Sequence, residues 1–293
     1  MKIKTFLWKT LTVTLLLNSS CQNSGKTELV TPEKLDSLTP ITANKPSARP
    51  VHWSYNNEEG PERWGELSPV YALCKDGKNQ SPINLSSELN GTGAVWEFDY
   101  ASTSLRIAHN ENMDDIVDNG HTIQVTVDEG SKFTFAGKVY HLKQFHFHCP
   151  SEHQLDGKSY PMEVHFVHQN DSGKFAVVSA LVKEGKENDN FKKIIENFPA
   201  NKGESKHLHD IHLALKFHLP EKNEAYHYTG SLTTPPCSEH VEWLIFRHPI
   251  EASKAQLDAF YAKIANNNRP IQALNDRSVK TGGISGKRTS NLQ

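Results

Sequence analysis

No charge of one sign dominates these 293 residues: 32 lysines and arginines stand against 34 aspartates and glutamates. Nothing in that balance advertises a nucleic acid, a polyanion or an anionic membrane surface as partner, whereas a small neutral substrate suits it. A long hydrophobic run is also missing. The most apolar stretch, Leu11 to Leu17, is too short to span a bilayer as a mature helix. No internal repeat is found, and helical periodicity is scarce. What is abundant is histidine, with sixteen copies. Many can be ordinary surface residues, so the number alone licenses only a search for ligand spacing.

The ends of the chain read as export and tethering segments. Lys2, Lys4 and Lys9 precede the short apolar run, the pattern of a signal peptide over residues 1–20. Asn18-Ser19-Ser20-Cys21 follows, which resembles a bacterial lipobox with Asn18 where its leucine usually stands and Leu17 one place early. Two outcomes stay open here, a lipid on Cys21 that anchors the protein to a membrane, or ordinary cleavage that leaves a free thiol. Residues 21–49 are rich in Ser, Thr, Asn, Lys and Pro with scattered single aliphatics, a composition that buries too little surface to offset its ordering entropy. They predict a flexible tether. Aromatics begin at His52, Trp53 and Tyr55, and the last periodic apolar stretch ends near Leu274. One folded domain is expected over residues 50–278, with a flexible tail over 279–293.

Within that domain alternation of period two dominates: Thr122 to Val127, Lys132 to Phe135, Val139 to His148, Met162 to His168, Phe175 to Val182 and His240 to Phe246. Helical spacing is confined to Asp189–Asn197 and to Ser253–Ile264, where Ser253 is placed to cap. The expected class is mainly β (α+β), a single domain with peripheral short helices.

Gln144-Phe145-His146-Phe147-His148 alternates polar and aromatic residues, so a strand puts Gln144, His146 and His148 on one face. Glu163, His165 and Val167 share a face by the same rule. Asp156-Gly157 between the two runs is a strong two-residue hairpin signal, and continuing its register outward sets His165 opposite His148. Three imidazoles from neighbouring strands then converge on one cation. Three neutral nitrogens with an open position suit a catalytic zinc rather than a closed structural one. Gln144 and Glu163, each two residues from a histidine on the shared face, are placed to hold the ring nitrogens that do not bind metal. His207, His209 and His212 form a second cluster with no such repeated partner and read as surface or packing residues. His168, on the opposite face from His165, reads the same way.

Gln80-Ser81-Pro82-Ile83-Asn84, Asn119-Gly120-His121, Gln144 to His148, Ser151-Glu152-His153, Glu163-Val164-His165 and Gly230-Ser231-Leu232-Thr233-Thr234-Pro235-Pro236 stand in the order seen in α-carbonic anhydrases. The chain resembles that family from His52-Trp53 to Asn267-Asn268-Arg269-Pro270. The resemblance implies a twisted, mostly antiparallel central sheet with zinc (Zn2+) at the base of a conical cleft, and the interconversion of carbon dioxide and bicarbonate by attack of zinc-bound hydroxide. It implies that His146, His148 and His165 bind the metal, that Thr233 accepts a hydrogen bond from the hydroxide and donates to Glu152, and that Thr234 and the Thr233 amide help hold bicarbonate. Val167, Val177, Leu232 and Trp243 match the apolar wall positions.

By the same resemblance His121 is the proton shuttle, with an unperturbed pKa near 6.5 suited to neutral pH, and Tyr55, Asn119 and Gln124 order the intervening water. Cys74 and Cys237 match the disulfide positions of exported members. Strand parity points Cys149 away from the metal, so a free thiol is expected there. Two other readings remain at this point. A catalytically silent relative used as a surface binding module would lack a zinc histidine or Thr233, and a cupin-like metal oxygenase also uses HxH on strands.

Overall fold

The computed structural model describes residues 51–89, 96–109, 121–215 and 224–283, apart from the side chains of Ser102 and residues 104–109. The expected leader, tether, Cys21 and Asn119 lie outside the described residues. The strands are β1 (Asn84–Leu85), β2 (Trp96–Asp99), β3 (Ser102–His109), β4 (Ile123–Thr126), β5 (Lys132–Phe135), β6 (Lys138–His148), β7 (Gln154–Leu155), β8 (Lys158–Ser159), β9 (Met162–Gln169), β10 (Phe175–Glu184), β11 (Ser205–Ala214), β12 (Glu224–Ser231), β13 (Glu239–Phe246), β14 (Ile250–Ala252) and β15 (Lys280–Gly283). Four short helices accompany them: α1 (Trp64–Leu67), α2 (Leu73–Asp76), α3 (Asp189–Glu196) and α4 (Lys254–Ile264).

Among the described residues a twelve-stranded sheet runs in the order β11-β3-β4-β6-β9-β10-β13-β12-β15, with β2 and β5 joined through β6 and β14 on β10. Its pairings are antiparallel except where β10 meets β13 and β14. β9 and β10 sit at the centre and are covered on both faces, which is why they are almost entirely buried along their length. Alternation then sorts their side chains. Phe145, Phe147, Val164, Phe166, Val178 and Ala180 point into the main apolar core, while Val167, Val177, Leu181 and Trp243 belong to a second cluster on the opposite face, the one that carries the histidines.

Both predicted helices form, and they lock the histidine strand from behind. Asn188 caps α3 by accepting from the amides of Asn190 and Phe191, and Ser253 caps α4 in a reciprocal capping box with Gln256. Phe147, between His146 and His148, packs edge-on to Phe191 of α3 and 4.5 Å from the ring centre of Phe260 of α4. That contact fixes the side of the sheet on which its two neighbours emerge.

Two sequence expectations need correction. The hairpin at Asp156-Gly157 forms, with Leu155 opposite Lys158, but its register does not continue into the long strands: His146, not His148, lies opposite His165, and His148 lies opposite Glu163. The arm entering the hairpin is two residues longer than the arm leaving it, because Glu152 and His153 fold back so that both their amides donate to the Glu163 carboxylate. An offset of two preserves every face, so the convergence survives. The tail expectation fails at its start: Lys280–Gly283 forms β15 on β12, carrying the folded domain past residue 278. Backbone pairing with β12 runs the length of that strand, so Thr281-Gly282-Gly283 needs no apolar period.

Candidate metal centre

His146, His148 and His165 are buried and offer ring nitrogens that lie within 4.8 Å of one another. The far nitrogen of each ring is already engaged. His146 Nδ1 lies 2.9 Å from Gln144 Oε1, His148 Nδ1 2.7 Å from the Asn267 carbonyl oxygen and His165 Nε2 2.9 Å from Glu163 Oε1. Acceptors of that kind require the ring nitrogen to donate, so the lone pairs fall on His146 Nε2, His148 Nε2 and His165 Nδ1. His148 Nε2 is buried and without a hydrogen-bond partner, an expensive state unless something accepts its lone pair. Burial drives all three imidazoles toward the neutral form a metal requires, His146 well below its ordinary value, His148 to about 4 and His165 also downward. The donor set fits Zn2+ with one position left open.

Glu163 anchors more than one ring. Besides His165 it accepts from His153 Nδ1 at 2.7 Å and from the Ser179 hydroxyl, and His153 Nε2 is 2.8 Å from the Tyr228 hydroxyl, which donates to Ser81. Burial alone would raise its pKa, but the facing His153 and His165 rings hold it well below the usual carboxylate range. The nearby trio His153, Glu163 and His165 is therefore a closed hydrogen-bonded set, with the carboxylate already shared between two rings.

Glu152 lies under the centre, Oε1 3.6 Å from His148 Nδ1 and Oε2 3.8 Å from His165 Nδ1. Burial raises its pKa to about 7, against the opposing pull of His165, a hydrogen bond with the Thr233 side chain and the Arg269 amide, which donates at 2.9 Å. Thr233 is buried, and Val167, Val177 and Trp243 form a buried apolar surface with Leu232 packed against it. Val177 is the cross-strand partner of both Val167 and Trp243, so the sheet register itself assembles that wall.

A family model for eukaryotic-type carbonic anhydrase matches residues 59–282. This chain belongs to the α-carbonic anhydrase family. Carbonic anhydrases of Nostoc sp. and Pectobacterium atrosepticum are 41% and 38% identical to it, over 79% and 78% of this chain and 86% and 90% of their own lengths. The α-carbonic anhydrase of Thermovibrio ammonificans, solved in complex with the inhibitor sulfanilamide, superposes with a TM-score of 0.72 at 41% identity, covering 79% of this chain and all of that one. The protein is accordingly a zinc-dependent carbonic anhydrase that reversibly hydrates carbon dioxide to bicarbonate and a proton. Neither the silent binding module nor the cupin-like oxygenase is favoured.

Around the carbonic anhydrase centre, His121 Nε2 lies 3.1 Å from the Trp53 carbonyl oxygen, and its ring makes edge contacts with Trp53 and Tyr55. The Tyr55 hydroxyl and Gln124 Oε1 are buried without hydrogen-bond partners, and Gln124 sits directly across from His146. Cys74 and Cys237 form a disulfide spanning 163 residues, which suits an oxidising, exported compartment. Among the described residues no helix is long and apolar enough to cross a membrane. Cys149 is a buried free thiol whose pKa burial pushes up to about 12, and the buried His168 is held by the Tyr100 hydroxyl at 2.6 Å from its Nε2, far from any ligand role.

Sequence reasoning missed Asn267 and Arg269 as working parts. The Asn267 side chain binds the Cys149 amide and the Phe147 carbonyl while its backbone oxygen orients His148. Arg269, buried, gives its amide to Glu152 and its guanidinium to Gln80, Ser81 and Cys74. The signal was a charged residue inside an apolar-poor Asn-Asn-Asn-Arg-Pro loop, where an ordinary loop would expose it.

Proposed function

We propose that the hydration chemistry is carried by His146 Nε2, His148 Nε2 and His165 Nδ1 as metal ligands, with Thr233, Glu152 and His121 serving the reacting atoms. The observation that supports this most is the pairing of three ring nitrogens close together in one buried space with three engaged ones behind them. Zinc bound there supplies a nucleophile at neutral pH by lowering the pKa of water to about 7, a value known for carbonic anhydrase itself. The Thr233 hydroxyl donates to Glu152, which turns its oxygen lone pair toward the nucleophile and fixes the direction of attack. Val167, Val177, Leu232 and Trp243 exclude water and hold apolar carbon dioxide beside the centre. Thr234 and the Thr233 amide hold the anionic product.

Each turnover also releases a proton. His121 takes it and passes it to solvent, and Tyr55, Gln124 and Asn119 order the water between His121 and the centre. A lipid on Cys21 tethers the exported domain to a membrane surface through residues 21–49.

Zinc analysis and a carbon dioxide hydration assay on parent and His146→Ala test the ligand assignment. The parent should hold one zinc per ligand set, and the variant should lose both metal and activity. Full activity in His146→Ala would overturn it. Cys21→Ser tests the tether separately: release from the membrane fraction is expected, and unchanged membrane association refutes the anchor.

A further inference from the structure

Three rings of one short segment pack against His121. Its ring lies edge-on to Trp53 and Tyr55, with centroids 5.5 and 5.9 Å away, and to His52 at 6.2 Å and 89°. His121 Nε2 donates to the Trp53 carbonyl at 3.1 Å, so a proton-bearing end of the ring faces the segment on which His52 stands next to Trp53. The three neighbours are not equivalent as proton acceptors. Trp53 does not titrate, and burial holds the Tyr55 hydroxyl well above its ordinary value. His52 carries the imidazole, the side chain suited to taking up a proton and giving it away again near neutral pH.

His52 faces water and is held in one orientation. Its side chain is 59% exposed, and its Nδ1 lies 3.2 Å from Glu59 Oε2. A carboxylate only accepts, so Nδ1 carries the hydrogen and the lone pair of the neutral ring falls on Nε2. Glu59 is fixed through its own backbone: its carbonyl accepts from the Ser54 amide at 2.9 Å and from the Trp64 indole at 3.0 Å. The nearby cation Arg63 is bound to Glu58 and Glu66, which leaves the Glu59 carboxylate to the His52 ring.

We infer that His52 is a second proton-relay residue, which receives the proton that His121 brings outward and delivers it to buffer at the surface. The inference rests on the shuttle reading of His121. Two transfers make up the step. Protonated His121 gives its proton to neutral His52, through one water where the nitrogens do not touch, and protonated His52 gives it to a buffer base, so both rings end neutral. The relay empties His121 between turnovers, and its loss slows proton release without touching the attack on carbon dioxide.

The test is a steady-state hydration assay on the zinc-loaded full chain, in low and in high buffer, with the parent, His52→Ala, His52→Gln, His121→Ala and the double variant His52→Ala, His121→Ala. In low buffer both His52 variants should lower kcat about threefold or more, a smaller effect than that of a group acting in the chemical transition state, with kcat/KM unchanged. Glutamine keeps a donor for Glu59 but carries no proton, so it would rescue a merely structural role. High buffer should restore both variants, and in the His121→Ala background the loss of His52 should add nothing. A parental kcat in His52→Gln, equal falls in kcat and kcat/KM, or a further fall in the double variant overturns the relay and leaves His121 as the shuttle. If His121→Ala itself keeps the parental kcat, the shuttle reading fails first and the relay falls with it.

Discussion

Replacing Glu163 by glutamine changes one atom and should cost the protein both stability and metal. Its Oε2 accepts the amides of Glu152 and His153, each at 2.8 Å. Its Oε1 accepts from His153 Nδ1, His165 Nε2 and the Ser179 hydroxyl. Glutamine offers a single acceptor oxygen, and its amino group must then confront either the two backbone amides or the two rings. Whichever way it turns, at least two buried donors lose their acceptor. At about 1–3 kcal/mol for each stranded donor, the expected loss is roughly 2–6 kcal/mol, a large share of the ~5–15 kcal/mol typical of a folded domain. His165 also loses the carboxylate that orients it, which should weaken zinc binding by about 10–100-fold. Urea unfolding of metal-free and zinc-loaded protein separates the two effects, because stranded donors destabilise both forms and the ligand effect appears only with metal. Chelator competition reads the affinity directly. A metal-free variant within about 0.5 kcal/mol of the parent, with unchanged zinc affinity, would refute the reasoning.

Substitution of His121 by alanine should lower kcat about tenfold or more while leaving kcat/KM for hydration nearly unchanged, since proton export and attack on carbon dioxide are separate steps; added imidazole should restore part of the loss, and equal falls in both parameters would exclude the shuttle role. Opening the disulfide by the double change Cys74→Ser and Cys237→Ser removes a closure of 163 residues, worth up to about 5 kcal/mol in the chain-entropy account. A lower urea midpoint is expected, and an unmoved midpoint would show that the bridge adds nothing to stability.

How much of this was legible in the sequence depends on distance along the chain. Period two put His146 and His148 on one face and fixed the face of His165, because parity within a strand is local, but bringing the third ring to the other two relied on the hairpin register, which the structure offsets by two residues without changing a face. Gln144 and Glu163 were legible for the same reason, each two residues from the ring it holds. The register was not, because it depends on where the Glu152 and His153 amides turn, which no alternation encodes. The carbonyl of Asn267 behind His148 was invisible, since any residue supplies a carbonyl and 119 positions separate the two. Ser205–Ala214, which pairs with β3, was not read as a strand, because an irregularity between Leu208 and His212 breaks its alternation. Lys280–Gly283 was read as tail because a strand held by its backbone needs no apolar side chains.

The reach of the chain's end into the site has a biosynthetic meaning. All three histidines of the candidate metal centre are present once residue 165 has been made, yet His148 Nδ1 meets the carbonyl of Asn267 and Glu152 is held by the amide of Arg269. A chain stopped short of that segment carries every proposed ligand and still lacks the partners of His148 and Glu152. A chain ending before residue 267 is therefore expected to hold zinc more weakly than the whole domain, so that metal retention would report on the completeness of the polypeptide.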